Sequence, residues 1–368
     1  MLTSPQPHPS VADLIVYVQS AYTSLHQLED FGMLDRECVF CTRLFGHFRS
    51  AISVSYGDVR DLALAPTLAP GLSVTGICND QDKEPALFLS AVPEQVRRLA
   101  SGIRTALVIC DQHSGGDVAV AIARELRRDG VRTGLVARGG YHWAWFIARE
   151  EGADSPAYAR ARFLEGEQVH AADVVIGTTQ RMLDDMAMLH AAPRERFRLV
   201  PNYVLAEHPP PTLEQREEGL ILYAGRLHPQ KRLDRLLESV ALLPPALRER
   251  SRVLLLGSGS EEPRLRALIA RLGLRAEIRS RIPHRDLLAV MRRCNIYLQC
   301  AEYEGHPKTI IEALANGCPT IVTDSPGVTD SVLHGITGLV VPNSVSAISA
   351  AVEQLLTSPA LAARLGAE

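Results

Sequence analysis

The chain has 368 residues, 46% of them hydrophobic and 22% charged, with a net charge of -3. That length and apolar share suit two ordinary globular domains. The balanced charge gives no basic field for nucleic acid, and the apolar runs are strand-sized rather than membrane-spanning. The N-terminal stretch 1–10 is polar and proline-rich, unlike a signal peptide. The 7 cysteines are scattered through apolar segments, the pattern of buried thiols in a reducing cytosol. Cys38 and Cys41 form a lone C-x-x-C within a helical pattern and lack a partner pair for zinc.

Short apolar strands alternate with amphipathic helices along the whole chain, the pattern of parallel sheets wrapped by helices. In the first half the strands are expected at 14–18, 51–55, 72–77, 106–110, 133–137, 174–177 and 198–200. Two strand-end loops there carry a histidine: Asp111-Gln112-His113-Ser114-Gly115-Gly116, before a helix from about Asp117, and Arg138-Gly139-Gly140-Tyr141-His142-Trp143. Each histidine could bind an acceptor hydroxyl or a sugar, or simply sit at the surface. The rhythm breaks at 204–218, a proline-rich and then charged segment expected to link a first domain, 1–203, to a second, 219–368. Two α/β domains with a cleft between them follow, and open parallel sheets collect ligands beyond the carboxyl ends of their strands.

The second series of strands is expected at 220–224, 253–256, 277–279, 296–299, 320–323 and 339–341. Its first strand runs into Ala224-Gly225-Arg226-Leu227-His228-Pro229-Gln230-Lys231, with a helix from about Leu233. Two cations beside a helix N-terminus could neutralise a diphosphate without a metal, Arg226 as a planar fork and Lys231 as a point charge. Lysine is informative here because, of 39 basic residues, only Lys83, Lys231 and Lys308 are lysine. Arginine and lysine are not interchangeable at a tight phosphate site.

The next strand ends in Gly257-Ser258-Gly259-Ser260-Glu261-Glu262. A dinucleotide fingerprint would need glycine at 262, and acids there repel a pyrophosphate, so an NAD site is not expected. Gly257 and Gly259 either let backbone approach a nucleotide or start the helix. Arg281-Ile282-Pro283 is a kinked apolar edge where Ile282 could flank a base.

The most informative stretch follows the fourth strand. Glu304 is followed eight positions later by Glu312, across Gly305, His306, Pro307, Lys308, Thr309, Ile310 and Ile311. Gly305 ends the strand, Pro307 suits a first helical position, and a helix is expected over 309–316 with Ile310, Ile311 and Leu314 inward. Glu304 then lies in a strand-end turn, facing the positive end of a helix dipole. Lys308 and Glu312 share one helix face.

In order and position these segments resemble the donor-binding domain of retaining glycosyltransferases of the GT-B fold, family 4. The residues that carry the resemblance are YAGRL with Lys231, LLLGSGSEEPRL, EYEGHPKTIIEALANGCPTIV and HGITGLVVP. It implies two Rossmann-like doubly wound domains and transfer of a sugar from a nucleotide-diphosphate donor to an acceptor hydroxyl, with no cofactor and no metal. Arg226 and Lys231 would hold the diphosphate and stabilise the leaving charge. Glu304 would bind sugar hydroxyls, the amides after Gly305 the sugar and phosphate, Glu312 the ribose, and His142 would orient the sugar. Attack would be front-face, with a phosphate oxygen taking the acceptor's proton. The implied acceptor is a glycan or a lipid-linked glycan, in the cytoplasm or peripherally at the inner face of the plasma membrane. Other reactions on the same frame, such as an epimerase or phosphorylase, or non-catalytic nucleotide-sugar binding, are the alternatives. The loop after the first strand, Gln19-Ser20-Ala21-Tyr22-Thr23, lacks the glycine pair common in the family, and its final crossover helix is expected to be missing beyond Glu368.

Overall fold

A computed structural model describes residues 11–204, 211 and 215–367. The expectations placed on 1–10, and most of those placed on 204–218, lie outside the described residues. The chain divides into two compact units, Met1–Val200 and Pro201–Glu368. The division precedes the expected linker because the described residues at its ends are tied to the second unit. Asn202 hydrogen-bonds His306, Arg216 donates to the carbonyl of Cys294 at 3.0 Å, and the Glu217 N–H donates to Arg293 at 2.7 Å.

The first unit is a seven-stranded parallel sheet: β1 Ala12–Val18, β2 Phe48–Val54, β3 Ser73–Ile77, β4 Thr105–Cys110, β5 Arg132–Arg138, β6 Val174–Gly177 and β7 Phe197–Leu199, in the order β3-β2-β1-β4-β5-β6-β7. β1 is central and buried on both faces, so successive side chains feed opposite layers. Leu14, Val16 and Val18 join one core with Val92, Val96 and Ile122, whereas Ile15 and Tyr17 join the other with Cys41 and Phe45.

The second unit is a six-stranded parallel sheet: β8 Leu220–Ala224, β9 Arg252–Leu256, β10 Ala276–Arg279, β11 Ile296–Gln299, β12 Thr320–Thr323 and β13 Leu339–Val341, ordered β10-β9-β8-β11-β12-β13. Every residue of β8 is buried, Ile221 and Tyr223 toward one layer and Leu220, Leu222 and Ala224 toward the other. Truncating such a side chain, as in Leu222→Ala, costs about 2–5 kcal/mol because the close-packed surroundings only partly collapse. Every expected strand is present, with ends shifted by at most three residues.

In both sheets the strand order reverses beside the first strand. The chain leaves β1 toward β2 but β4 toward β5; likewise it leaves β8 toward β9 but β11 toward β12. Loops at the carboxyl ends of such a neighbouring pair part from each other and leave a crevice.

Candidate functional site

In the second unit the crevice opens between the loops after β8 and β11. Pro229–Lys231 forms a single tight turn, and its polypeptide is pinned to the other loop twice. The Gln230 side-chain amide donates to the Tyr303 carbonyl at 2.6 Å, and the Glu302 N–H donates to the Gln230 carbonyl at 2.9 Å. These contacts bring Lys231 Nζ against Glu304 Oε1, where it donates a charge-assisted hydrogen bond. Gln299 Nε2 donates to the same oxygen at 3.0 Å. Both charged side chains are only about a tenth exposed, 10% for Lys231 and 9% for Glu304. Two largely desolvated charges are tolerable because each neutralises the other.

Arg226 is exposed and reaches Gln230 Oε1 at 3.4 Å, so it borders the pair without joining it. Its carbonyl accepts from the buried Tyr223 hydroxyl at 2.9 Å. Burial pushes the Tyr223 and Tyr297 phenols well up, which keeps both as neutral donors beneath the loops.

Gly225 (φ 154), Gly257 (φ 149) and Gly259 (φ 159) all take positive φ. A Cβ on Gly257 would stand 1.9 Å from the Gly225 carbonyl oxygen, and one on Gly259 2.2 Å from that of Leu227. The two glycines therefore press against the backbone of the Arg226 loop and set its position. The Glu304 turn is set the same way from its other side: a Cβ on Gly327 (φ 72) would meet the Glu304 carbonyl oxygen at 2.1 Å.

The helix after the turn is Lys308–Ala315, with Pro307 at its N-cap and no side chain capping it. Pro307 thus stands just outside the helix, since its extended ψ of 114 is not helical, and Lys308 and Thr309 open the first turn. Glu312 is buried on this helix at 1% exposure, and its Oε1 lies 2.9 Å from His284 Nε2 at the start of helix His284–Arg293. Ile282 is half-buried against the core just before that helix. His306 is buried, its Nδ1 accepting from the Asn202 N–H at 3.1 Å and its Nε2 lying 2.7 Å from Ser331 Oγ. Acceptance at Nδ1 fixes the neutral tautomer, and burial holds the pKa down. His306 thus fastens the turn, with both ring nitrogens occupied.

In the first unit neither strand-end histidine lies open. His113 is 1% exposed, its Nδ1 is 3.3 Å from Gln168 Oε1, and its ring fills the space a Cβ on Gly139 would need. Burial lowers its pKa. His142 is 6% exposed and its Nε2 lies 3.1 Å from Glu165 Oε2, an oxygen that His190 Nε2 also approaches at 2.9 Å. Glu165 Oε1 accepts the Trp143 N–H at 2.9 Å, capping helix Trp143–Glu150. The carboxylate is fully buried, yet the two imidazoles hold its pKa well below the usual range against desolvation. His142, Glu165 and His190 are also the one group among the described residues whose ligand atoms, all within 4.8 Å, could hold a metal ion.

Sequence reading brought Arg226, Lys231, Glu304 and Glu312 forward but not Gln230, Gln299, His284, Glu165 or His190. Gln299 left one signal, a polar residue closing the apolar run of β11. The others are defined by partners distant in sequence.

Residues 206–368 match the family model for glycosyl transferases group 1. A D-inositol 3-phosphate glycosyltransferase of Streptomyces bingchenggensis is 35% identical over 234 residues, 58% of this chain and 51% of that protein. A glycogen synthase of Mycobacterium tuberculosis is 25% identical over 254 residues, 67% of this chain and 59% of that protein. The chain spans about half the length of the curated relatives it matches first. At the level of fold, Anabaena HepE in complex with UDP-glucose superposes with a TM-score of 0.70 at 18% identity, over 96% of this chain and 92% of that one. Sucrose-phosphate synthase from Thermosynechococcus elongatus gives 0.71 at 18%, also over 96% and 92%. The two units thus have the pair of Rossmann-like parallel sheets of the GT-B fold, as in these solved structures.

Proposed function

We propose that the chain transfers a sugar from a nucleoside-diphosphate sugar to an acceptor hydroxyl with retention of anomeric configuration. The observation that carries this reading is the Lys231–Glu304 pair at the switch point of the second unit. Support also comes from HepE, a protein of the same fold whose structure holds UDP-glucose. On this reading the donor splits the ion pair. Its diphosphate takes the Lys231 ammonium and the Arg226 guanidinium, while Glu304 turns to the sugar hydroxyls.

Both cations then face the oxygen that gains charge as the C1–O bond to phosphate breaks, which lowers the barrier without a metal. The acceptor oxygen bonds to C1 on the same face, and its proton passes to the departing phosphate oxygen. The uncapped start of helix Lys308–Ala315, with the amides after Gly305, points its dipole at sugar and phosphate. Glu312, fixed by His284, accepts from the ribose hydroxyls. Glu304 and Glu312 then bind two parts of one donor rather than forming an acid and base pair. The acceptor is a hydroxyl of a glycan or a lipid-linked glycan, the latter met at the inner face of the plasma membrane.

The test is a panel of nucleotide sugars, followed by release of nucleoside diphosphate. Slow donor hydrolysis is expected from the wild type and not from Lys231→Ala or Glu304→Ala. A folded wild type that binds donors and turns over none contradicts an enzyme. NMR assignment of the product anomer then tests retention, and an inverted product removes the front-face step.

A further inference from the structure

The switch point of the first sheet is built differently. The loop after β1, Gln19 to Thr23, lies beside the loop after β4, with the Ala21 N–H donating to the Ser114 carbonyl at 2.9 Å. It is fastened again by the Thr23 N–H to the Ser20 carbonyl at 3.0 Å, by the Ser20 and Thr23 hydroxyls 2.7 Å apart, and by the Tyr56 N–H to the Thr23 carbonyl at 3.0 Å. Within this fastened loop Tyr22 takes φ 63, the left-handed region, where an aromatic residue is strained. Its ring is nevertheless 84% exposed, the most exposed large hydrophobic side chain among the described residues. The fold holds Tyr22 in an unfavourable backbone conformation and gains little burial from it.

The surroundings are polar and close. A Cβ on Gly115 (φ 98) would stand 2.8 Å from the Tyr56 hydroxyl, 2.9 Å from the Gln19 carbonyl oxygen and 3.1 Å from the Ala21 nitrogen. The Tyr22 and Tyr56 rings lie 6.2 Å apart, tilted by 42°. Gln19 and His113, at the ends of β1 and β4, are each 1% exposed, and Gln19 Nε2 and His113 Nε2 have no hydrogen-bond partner among the described residues. An exposed aromatic face held by fastened, strained backbone suits a ligand with flat C–H faces.

We propose that Tyr22 is the platform on which a six-membered polyhydroxylated ring of the acceptor, a pyranose or a cyclitol, stacks at the first sheet's switch point. This rests on the reading of the chain as transferring sugar to a hydroxyl. Saturation-transfer NMR on the full chain tests it, with methyl α-D-glucopyranoside, myo-inositol and the acyclic sorbitol as ring probes and UDP as a separate probe of the second unit. Ring C–H protons of the glucoside, the inositol or both should be saturated more strongly than sorbitol. Which of the two responds tells sugar from cyclitol. The ring signal should fall by about fivefold or more in Tyr22→Ala and Tyr22→Gly and persist in Tyr22→Trp, since one aromatic contact is worth that factor. Tyr22→Gly also relieves the backbone strain, so it should be at least as stable as wild type while losing the ring. No ring saturation in the wild type, or an undiminished signal in the alanine and glycine variants, overturns the proposal. Loss of UDP signal from the wild type, with ring binding intact, counts against the donor reading alone.

Discussion

The two sheets share one topology and present opposite chemistry at equivalent places. In the second unit the parted loops after β8 and β11 meet through an ion pair, Lys231 on Glu304, bordered by the exposed Arg226. In the first, the loops after β1 and β4 meet through backbone hydrogen bonds and offer an exposed tyrosine. Strand order makes the crevice, and side chains choose the occupant. Charge suits a diphosphate, whereas an aromatic face suits a neutral polyol.

The largest test of that contrast is Lys231→Ala. Donor turnover should drop by roughly 10²–10³-fold, the usual cost of removing one donor to a developing negative charge. Nucleoside-diphosphate release measures it, and a loss of under tenfold would mean that the charge is supplied elsewhere.

Next comes the backbone scaffold. Gly257→Ala places a methyl against the Gly225 carbonyl at a positive φ, and should destabilise the chain by about 2–4 kcal/mol in urea unfolding. Gly71→Ala, at φ 90 with nothing within 4 Å of the new Cβ, should cost only about 1 kcal/mol. Equal costs would show that the press of Gly257 on the Arg226 loop is unimportant.

The smallest effect is in pH. Burial lowers the pKa of His113 in the first unit and of His306 in the second, so the unfolded chain binds more protons than the native one below the ordinary histidine pKa. Stability should therefore be level above about pH 6.5 and fall on acidification, by at most roughly 1.4 kcal/mol per pH unit for each histidine, until the folded pKa is passed. His113→Gln and His306→Gln should each flatten part of that slope. A stability curve that rises on acidification would reverse the assignment of neutral rings.

The strands were legible because parallel sheets buried on both faces demand continuous apolar runs, and 220–224 is such a run. The loops could be ranked because glycine, lysine and glutamate stand out at strand ends. What was hidden is set by partners far apart in sequence. His142 suggested an open loop histidine, but Glu165 draws its ring inward while capping the helix after it. Gly257 and Gly259 allowed either a turn or a nucleotide, and the structure fills their missing side-chain space with the neighbouring loop. Lys308 and Glu312 share a helix face as their spacing implies, yet the Glu312 carboxylate is met by His284, 28 residues away.

The central claim, that the Lys231–Glu304 pair is divided between phosphate and sugar, is tested most directly by calorimetric titration. UDP and UDP-glucose would each be titrated into wild type, Lys231→Ala and Glu304→Ala, in EDTA. Lys231→Ala should lose affinity for both ligands. Glu304→Ala should bind UDP as well as wild type or better, because the ammonium is released from its carboxylate, and should lose the added affinity for the glucosyl form. Undiminished UDP binding by Lys231→Ala, or equal loss of UDP from both variants, would contradict the account.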